Sequence, residues 1–188
     1  RWNNFNPNGI LKNENCDFHL EIDGKDVIVQ IWSKEVIGVK GNTTKVYFLD
    51  VGHEENHQSI QELGNRLYGG GTEVRIRQEY ILGFGGVKAI KSLNLWPIRG
   101  IHLNEGHTAF AALGLLEEGL TLEKIRKKLH FTTHTPVPAG HDVFEFSDAE
   151  KINSPSVTCW GTGSPLREFL HVDDLSDAVI YCLKNWHT

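Results

Sequence analysis

The sequence contains no methionine, even at its first position, which is occupied by Arg1. We therefore expect a fragment, because such a chain is predicted to begin inside a longer open reading frame or to follow processing. No apolar run approaches the ~18–20 residues that cross a bilayer, and the first residues do not resemble a signal peptide. These absences predict a soluble cytoplasmic protein without a membrane partner.

An excess of positive charge is also absent. The formal net charge is −5, and the 19 lysines and arginines are scattered without forming a basic stripe. This pattern argues against a nucleic-acid partner and favours a neutral small molecule or polysaccharide as ligand. Cysteine is scarce, since only Cys16, Cys159 and Cys182 occur, with no CxxC spacing. Three cysteines cannot all pair within one chain, so reduced thiols are expected.

The hydrophobic pattern near the N-terminus predicts a β-hairpin, a further strand and a helix. Residues 18–22 and 27–31 are short apolar runs on either side of the turn sequence Asp23-Gly24. Residues 45–50 predict another strand, which ends on a carboxylate. Asn56 follows that strand at a position suited to cap a helix.

A long helix is predicted over residues 74–93, because apolar residues recur there at a helical 4-4-3 spacing. The apolar residues are Ile76, Tyr80, Phe84 and Val87. Gly83, Gly85 and Gly86 interrupt the pattern. Each glycine costs a helix interior about 0.5–1 kcal/mol relative to alanine. Their expected use is therefore the close approach of another backbone.

Strands and helices then alternate, which predicts a parallel sheet with helices packed on it and an α/β fold class. Asn104 would cap the helix after strand 98–103, and Thr121 would open a second helix before strand 130–133.

The composition changes near residues 145–148, so we predict two units, residues 1–146 and 147–188. The second unit predicts a short strand-turn-helix tail. Its strand covers residues 156–160, its turn covers residues 161–163, and Asp173 would cap its helix.

Histidine is concentrated between residues 102 and 141, which raises the possibility of a metal site. The spacing is not HExxH, and no i, i+4 histidine pair with an intervening base occurs, so we expect no metal site. The alternative for each histidine is a loop or core residue hydrogen-bonded to the backbone. The cluster consists of His102, His107, His130, His134 and His141, with Glu105 and Asp142.

Two stretches, IHLNEGHTAF at residues 101–110 and TTHTPVPAGHD at residues 132–142, resemble the α-glucan phosphorylases. Four further pieces occur in the order found in that family: YFLD at 47–50, NRLYGG at 65–70, EVRIRQE at 73–79 and LGFGGV at 82–87. The resemblance covers about residues 18–146. It implies the N-terminal half of a two-domain glycosyltransferase-B fold, which is a partial Rossmann-like unit whose loops face a cleft.

This resemblance implies an intact enzyme that moves a glucosyl unit from an α-1,4-glucan or maltooligosaccharide to phosphate, giving glucose 1-phosphate. It implies that His134 is catalytic and lies against the transferred sugar, next to Thr133 of the same motif. It also implies that Asn104, Glu105 and His107 bind substrate. The alternative for Asn104 is that it only caps a helix. The family cofactor is pyridoxal 5′-phosphate. Its Schiff-base lysine belongs to the missing C-terminal half, so we expect this chain to bind no cofactor and to be inactive alone.

Arg75 and Glu79 lie one helical turn apart, and this spacing allows two interpretations. A surface ion pair at this spacing is worth ~0.2–0.5 kcal/mol. The other interpretation is that Arg75 shapes the cleft and binds substrate.

The tail resembles GDP-L-fucose synthase, an extended short-chain dehydrogenase/reductase, in KINSPSV at residues 151–157 and WGTGSPLREFLHVDDL at residues 160–175. The resemblance implies that Arg167 meets the diphosphate of a GDP-sugar, with Trp160 nearby. The alternative is that Arg167 forms a surface ion pair with Glu168 or Asp173. The GxxGxxG loop and the Tyr-x-x-x-Lys pair of that family are missing, so we expect no reductase activity.

Three hypotheses follow from these patterns. The favoured one is a chimera of a partial α-glucan phosphorylase and a piece of a GDP-L-fucose synthase. The second is a glucan-binding protein that has lost catalysis. The third is a fragment of a nucleotide-sugar enzyme whose function lies in the tail.

Overall fold

The computed structural model describes residues 7–66, 69–135, 143–144, 147–148, 152 and 172–185. Among these residues, no helix is both long and apolar enough to cross a membrane. The strands are β1 (Lys12–Asn13), β2 (Phe18–Ile22), β3 (Lys25–Ile37), β4 (Thr43–Asp50), β5 (Ile101–Asn104) and β6 (Leu129–Thr132). The helices are α1 (Gln58–Gln61), α2 (Thr72–Ser92), α3 (Ala111–Glu117), α4 (Leu122–Lys128) and α5 (Val172–Asn185), with 3₁₀ turns at Pro7–Gly9, Glu62–Gly64 and Gly106–Thr108.

An antiparallel sheet of four strands forms the N-terminal part of the fold, with β3 pairing with β1, β2 and β4. The predicted hairpin is confirmed, and its turn residues Asp23 and Gly24 have φ angles of 54° and 69°. Positive φ at both central positions is the geometry that two-residue hairpins favour. Strand β2 alternates buried and exposed residues, so Phe18, Leu20 and Ile22 enter the core.

Helix α2 packs on β2 and α3, and its predicted apolar face is buried. Tyr80 stacks on Phe84 at a ring-centroid distance of 4.7 Å and meets Phe110 edge-on at 5.8 Å. Stacked and edge-on arrangements are both favoured by the charge distribution of aromatic rings. The helix therefore joins the antiparallel sheet to the second half of the fold.

The predicted close approach of another backbone is confirmed at Gly83, whereas Gly85 faces side chains and Gly86 faces no atom. A Cβ atom at Gly83 would lie 2.8 Å from the backbone N of Ala111, and one at Gly85 would lie 3.2 Å from Leu20 Cδ1. At Gly86 such an atom would have no neighbour within 4 Å. Gly86 is thus not required by packing.

The second half of the fold contains a small parallel sheet, in which β5 pairs with β6 in the register Asn104↔Thr132. Helices α3 and α4 connect the two strands, as the alternating pattern predicts. The predicted cap of α4 is confirmed, because the Thr121 hydroxyl accepts the backbone N–H of Lys124 at 3.4 Å. The described residues thus form a mixed α/β fold with one antiparallel and one parallel sheet.

Two predicted helix caps are wrong. The N-cap of α1 is His57, whereas Asn56 is buried, and its side chain bonds the backbone N and O of Ile28 and the O of Val51, each at 2.8 Å. An asparagine amide has both donors and an acceptor, so the Asn56 side chain connects Ile28 of β3 with Val51, the residue that follows β4. Asn104 ends β5, and α3 begins only after the cap residue Phe110.

Of the predicted strand-turn-helix tail, the structure describes only the helix. Helix α5 agrees with the helix expected in this region. The predicted strand 156–160, the turn 161–163 and the capping side chain of Asp173 lie outside the described residues.

Candidate functional site

Polar residues follow the carboxyl ends of both parallel strands. Glu105 comes directly after β5, and Thr133, His134 and Thr135 come directly after β6. Because the two strands are parallel, these residues meet at one edge of the sheet. In open α/β sheets this edge is where ligands bind.

Glu105 is the centre of this edge. Its side chain is buried, and its backbone has φ 60° and ψ −170°, a conformation that favours glycine. Its N–H donates to the carbonyl of Thr132 at 2.8 Å. Its Oε1 atom accepts the backbone N–H groups of His134 and Thr135, each at 2.7 Å. The residue therefore ties the end of β5 to the segment that follows β6.

Burial alone would raise the pKa of Glu105. The hydrogen bonds from the backbone of His134, from the hydroxyls of Thr133 and Thr135 and from the backbone of Thr135 outweigh burial and lower the pKa to about 2. A carboxylate whose pKa is lowered by folding stabilises the fold above its ordinary pKa of 4.5. This contribution is lost as the pH falls from 4.5 towards 2.

The ring of His134 lies between two side chains from the end of β5. Its Nε2 atom lies 3.0 Å from Asn104 Oδ1, and its Nδ1 atom lies 3.2 Å from Glu105 Oε1. The side chain of His134 is 49 % exposed. The ring is thus held on its polar edge while about half of it faces solvent.

A second group of charged side chains connects α2 to the 3₁₀ turn Gly106–Thr108. Arg75 Nη2 lies 3.1 Å from Glu79 Oε1 and 2.9 Å from His107 Nδ1, and His107 Nδ1 lies 3.5 Å from Glu79 Oε1. The shorter contact of His107 is with a donor, so its Nδ1 accepts and the proton of the neutral ring belongs to Nε2.

The surface interpretation of Arg75 and Glu79 is wrong. The side chain of Arg75 is 14 % exposed and that of Glu79 is 4 % exposed, so the pair is buried. Glu79 follows Ile76 by three positions and precedes Gly83 by four, which places it on the buried face of α2. That spacing is the sequence signal that would have identified Glu79 as part of the site.

Arg75, Glu79 and His107 lie in the wall of a cleft of about 380 Å³ between β4 and α2. Most of the other residues that line it are apolar, and the list is Tyr47, Phe48, Leu49, Val51, Leu63, Ile81 and Leu82, with Gly64, Arg66 and Gln78. An apolar cleft with a few fixed polar groups is the usual form of a small-molecule site.

The predicted site residues thus fall into two groups, one around Glu105 and His134 and one around Arg75 and His107. His102, which the sequence pattern indicated only as a possible metal ligand or a loop or core residue, is a further neighbour, and its Nε2 lies 2.8 Å from the hydroxyl of Thr132. Within the described ranges, no cluster of three or more histidine, cysteine, aspartate or glutamate side chains is arranged to hold a metal ion. Arg167 and Trp160 lie outside the described residues.

Comparison with known proteins gives two different relationships. The chain is 37 % identical over 161 residues to the maltodextrin phosphorylase of Thermococcus litoralis, an alignment that covers 81 % of this chain and 18 % of the relative. It is 37 % identical over 128 residues to the glycogen phosphorylase of Mycobacterium tuberculosis, covering 61 % of this chain and 14 % of the relative. The chain thus spans less than a fifth of the length of these two relatives.

The C-terminal segment has other relatives. Residues 139–188 match the NAD dependent epimerase/dehydratase family. A probable GDP-L-fucose synthase of Oryza sativa is 58 % identical over 41 residues, covering 22 % of this chain and 12 % of the relative. No solved structure matches the chain. Most of this chain is therefore homologous to the glycogen and maltodextrin phosphorylases, and its C-terminal segment is related to the NAD dependent epimerase/dehydratase family and to the GDP-L-fucose synthases.

Proposed function

We propose that the first unit, residues 1–146, is the glucan-contacting part of an α-glucan phosphorylase of the glycosyltransferase-B type. The observation that carries this proposal is the convergence of Asn104, Glu105 and His134 at the carboxyl ends of two parallel strands. The homology to phosphorylases named for maltodextrin and glycogen supports it and indicates an α-1,4-glucan as ligand.

The chemistry of the site suits a sugar. Glucose presents hydroxyl groups, which both donate and accept hydrogen bonds, and a half-exposed imidazole and amide offer both functions at fixed positions. In this proposal His134 and Asn104 contact the glucosyl unit, with Thr133 beside them. The imidazole would favour the positive charge that develops on the sugar in the transition state through its polarity and fixed orientation.

His107 and Arg75 are proposed to bind the neighbouring part of the substrate, because both line the cleft beside α2. Glu79 holds the guanidinium of Arg75 in place, and Arg75 in turn donates to the His107 ring. An arginine beside a glucan site also suits the phosphate that a phosphorylase uses as second substrate.

Pyridoxal 5′-phosphate, the cofactor of the phosphorylase family, supplies a phosphate group to the reaction and is held by a Schiff base to lysine. No lysine lines the cleft beside α2 among the described residues, nor does one belong to the group around Glu105. The described residues thus do not fit this cofactor, and the proposed activity of this chain alone is glucan binding without phosphorolysis.

We expect the purified chain to bind maltoheptaose weakly, with a dissociation constant of ~1 mM, which corresponds to a binding free energy of about −4 kcal/mol. His134→Ala removes a hydrogen-bonding ring from the proposed contact surface and should weaken binding about tenfold, the effect of one lost bond of about 1.4 kcal/mol. Titration followed by NMR chemical shifts measures both constants.

The matched control for this experiment is His19→Ala. His19 is an exposed histidine on the β2–β3 hairpin that pairs with Asp26 at 2.7 Å. The His19→Ala substitution should leave maltoheptaose binding unchanged. Equal affinities of the wild type and the His134→Ala variant would remove His134 from the site, and the absence of saturable binding by the wild type would refute the glucan proposal.

A second candidate function belongs to the second unit, residues 147–188, for which we propose binding of a GDP-sugar. The 58 % identity to a probable GDP-L-fucose synthase over 41 residues supports it. In this proposal Arg167 contacts the diphosphate and Trp160 lies nearby, because a guanidinium fork matches the paired oxygens of a phosphate.

We expect Arg167→Ala to weaken binding of GDP-fucose by at least about tenfold, since hydrogen bonds to charged groups are worth about 1.5–3 kcal/mol. Isothermal titration calorimetry on the full chain measures the affinity. Arg126→Ala, at an exposed arginine of α4, is the control that removes the same charge elsewhere. If both variants bind GDP-fucose as the wild type does, Arg167 has no role in this function.

A further inference from the structure

Glu105 has a backbone conformation that residues other than glycine rarely adopt. At φ 60° and ψ −170° a residue with a side chain is strained, and such residues persist only where the surrounding structure holds them. The residue is also 2 % exposed, although it is an acid. Because Glu105 is both strained and buried at the edge of the proposed site, its contacts within the protein must hold it in this conformation.

Those contacts are all directed at one segment. The Glu105 N–H donates to Thr132, which precedes the segment, and Oε1 accepts the backbone N–H groups of His134 and Thr135. The same oxygen lies 3.2 Å from Nδ1 of the His134 ring. One carboxylate oxygen thus fixes the backbone and the ring of His134 together.

The other ring nitrogen of His134, Nε2, lies 3.0 Å from Oδ1 of Asn104. Asn104 and Glu105 are adjacent at the end of β5, so the orientation of the ring depends on how that strand ends. In its strained conformation Glu105 has its carboxylate buried against the segment that contains His134, while the adjacent Asn104 remains exposed. The backbone conformation of Glu105 therefore influences the orientation of the His134 ring.

We propose that Glu105 is a positioning residue, which holds the peptide and ring of His134 in one orientation and does not itself contact a sugar. Its burial leaves it without a surface for a ligand. Two backbone N–H groups donate to Oε1 at 2.7 Å, and Nδ1 of His134 lies 3.2 Å from the same oxygen. The identity of the ligand rests on the proposed glucan function, whereas the positioning role depends only on the contacts within this chain.

The first test measures the hydrogen bonds in the wild-type chain by NMR. Scalar couplings across the hydrogen bonds should connect the amide nitrogens of His134 and Thr135 with the side-chain carboxyl carbon of Glu105. Observation of these couplings supports the proposal. Their absence, in a spectrum where couplings across the β5–β6 ladder are visible, overturns it.

The second test uses Glu105→Gly, which deletes the carboxylate and relieves the backbone strain, because glycine adopts positive φ without cost. We expect amide exchange at His134 and Thr135 to accelerate about tenfold, which corresponds to one lost hydrogen bond, and the ring signals of His134 to shift. Glu123→Gly is unsuitable as a control because glycine disrupts α4, so Glu123→Gln, at an exposed position, is paired with Glu105→Gln. Unchanged exchange and ring signals in both Glu105 variants would overturn the proposal.

Maltoheptaose titration of the same variants separates positioning from direct contact. A loss of affinity together with altered His134 signals supports positioning. A loss of affinity with His134 signals identical to those of the wild type shows direct contact between Glu105 and the sugar and overturns the proposal. If the wild type binds no maltoheptaose, the glucan function fails, and the couplings and exchange rates still decide whether Glu105 positions His134.

Discussion

Gly83→Ala should destabilise the fold by about 1–3 kcal/mol, the range for overpacking a well-packed core. A Cβ at this position would lie 2.8 Å from Ala111 N, 3.0 Å from Thr108 O and 3.1 Å from Phe110 C. All three are backbone atoms at the start of α3, so no side chain can rotate away. Relief requires α2 and α3 to separate, which disturbs the core that both helices share and the edge-on contact of Tyr80 with Phe110. Urea unfolding followed by circular dichroism measures the loss.

Gly86→Ala is the matched control, because it lies three residues further along the same helix. A Cβ there has no neighbour within 4 Å. Alanine is favoured over glycine in a helix interior by about 0.5–1 kcal/mol, so this variant should be more stable than the wild type. The opposite signs of the two variants are the expected result. A stabilising Gly83→Ala variant would mean that α2 and α3 are not in backbone contact.

The local elements of this fold could be predicted from the sequence because their signals are local. The Asp23-Gly24 turn, the apolar spacing in α2 and the Thr121 cap each depend on a few neighbouring residues, and the structure confirms all three. The failed predictions concern Asn56 and Asn104. Either asparagine could cap a helix by its residue type, but Asn56 bonds Ile28 of β3 and Asn104 contacts the ring of His134, so each is engaged by a residue that is distant in sequence.

Part of the site could also be predicted, because the two motifs that resemble phosphorylases lie at the ends of β5 and β6 and meet in the parallel sheet. The positive φ of Glu105 could not be predicted, since nothing in the residue type favours that conformation. The burial of the Arg75–Glu79 pair was missed for a different reason. Its i, i+4 spacing is identical in exposed and buried pairs, and only the register with Ile76 and Gly83 distinguishes them.

Glu79→Ala should be the most destabilising of the substitutions considered, at about 3–5 kcal/mol. Glu79 and Arg75 are 4 % and 14 % exposed, so the substitution removes the carboxylate that compensates a guanidinium within the protein. It also removes the carboxylate that holds Arg75 against the His107 ring. Urea unfolding measures the change in the free energy of unfolding, and chemical shifts of the His107 ring report the disturbance at the cleft.

The pair Glu123–Lys127 offers a control with the same spacing and the same 3.1 Å distance, but its glutamate is 80 % exposed. Water already solvates both charges there, so Glu123→Ala should change stability by less than about 1 kcal/mol. The double variant Arg75→Met, Glu79→Leu removes both buried charges together and should recover much of the stability lost in Glu79→Ala, because apolar residues of similar volume replace buried ion pairs at little cost. If Glu79→Ala were no more destabilising than Glu123→Ala, burial would not determine the strength of this ion pair. A double variant as unstable as Glu79→Ala would instead show that packing around the side chains, and not the loss of the ion pair, causes the destabilisation.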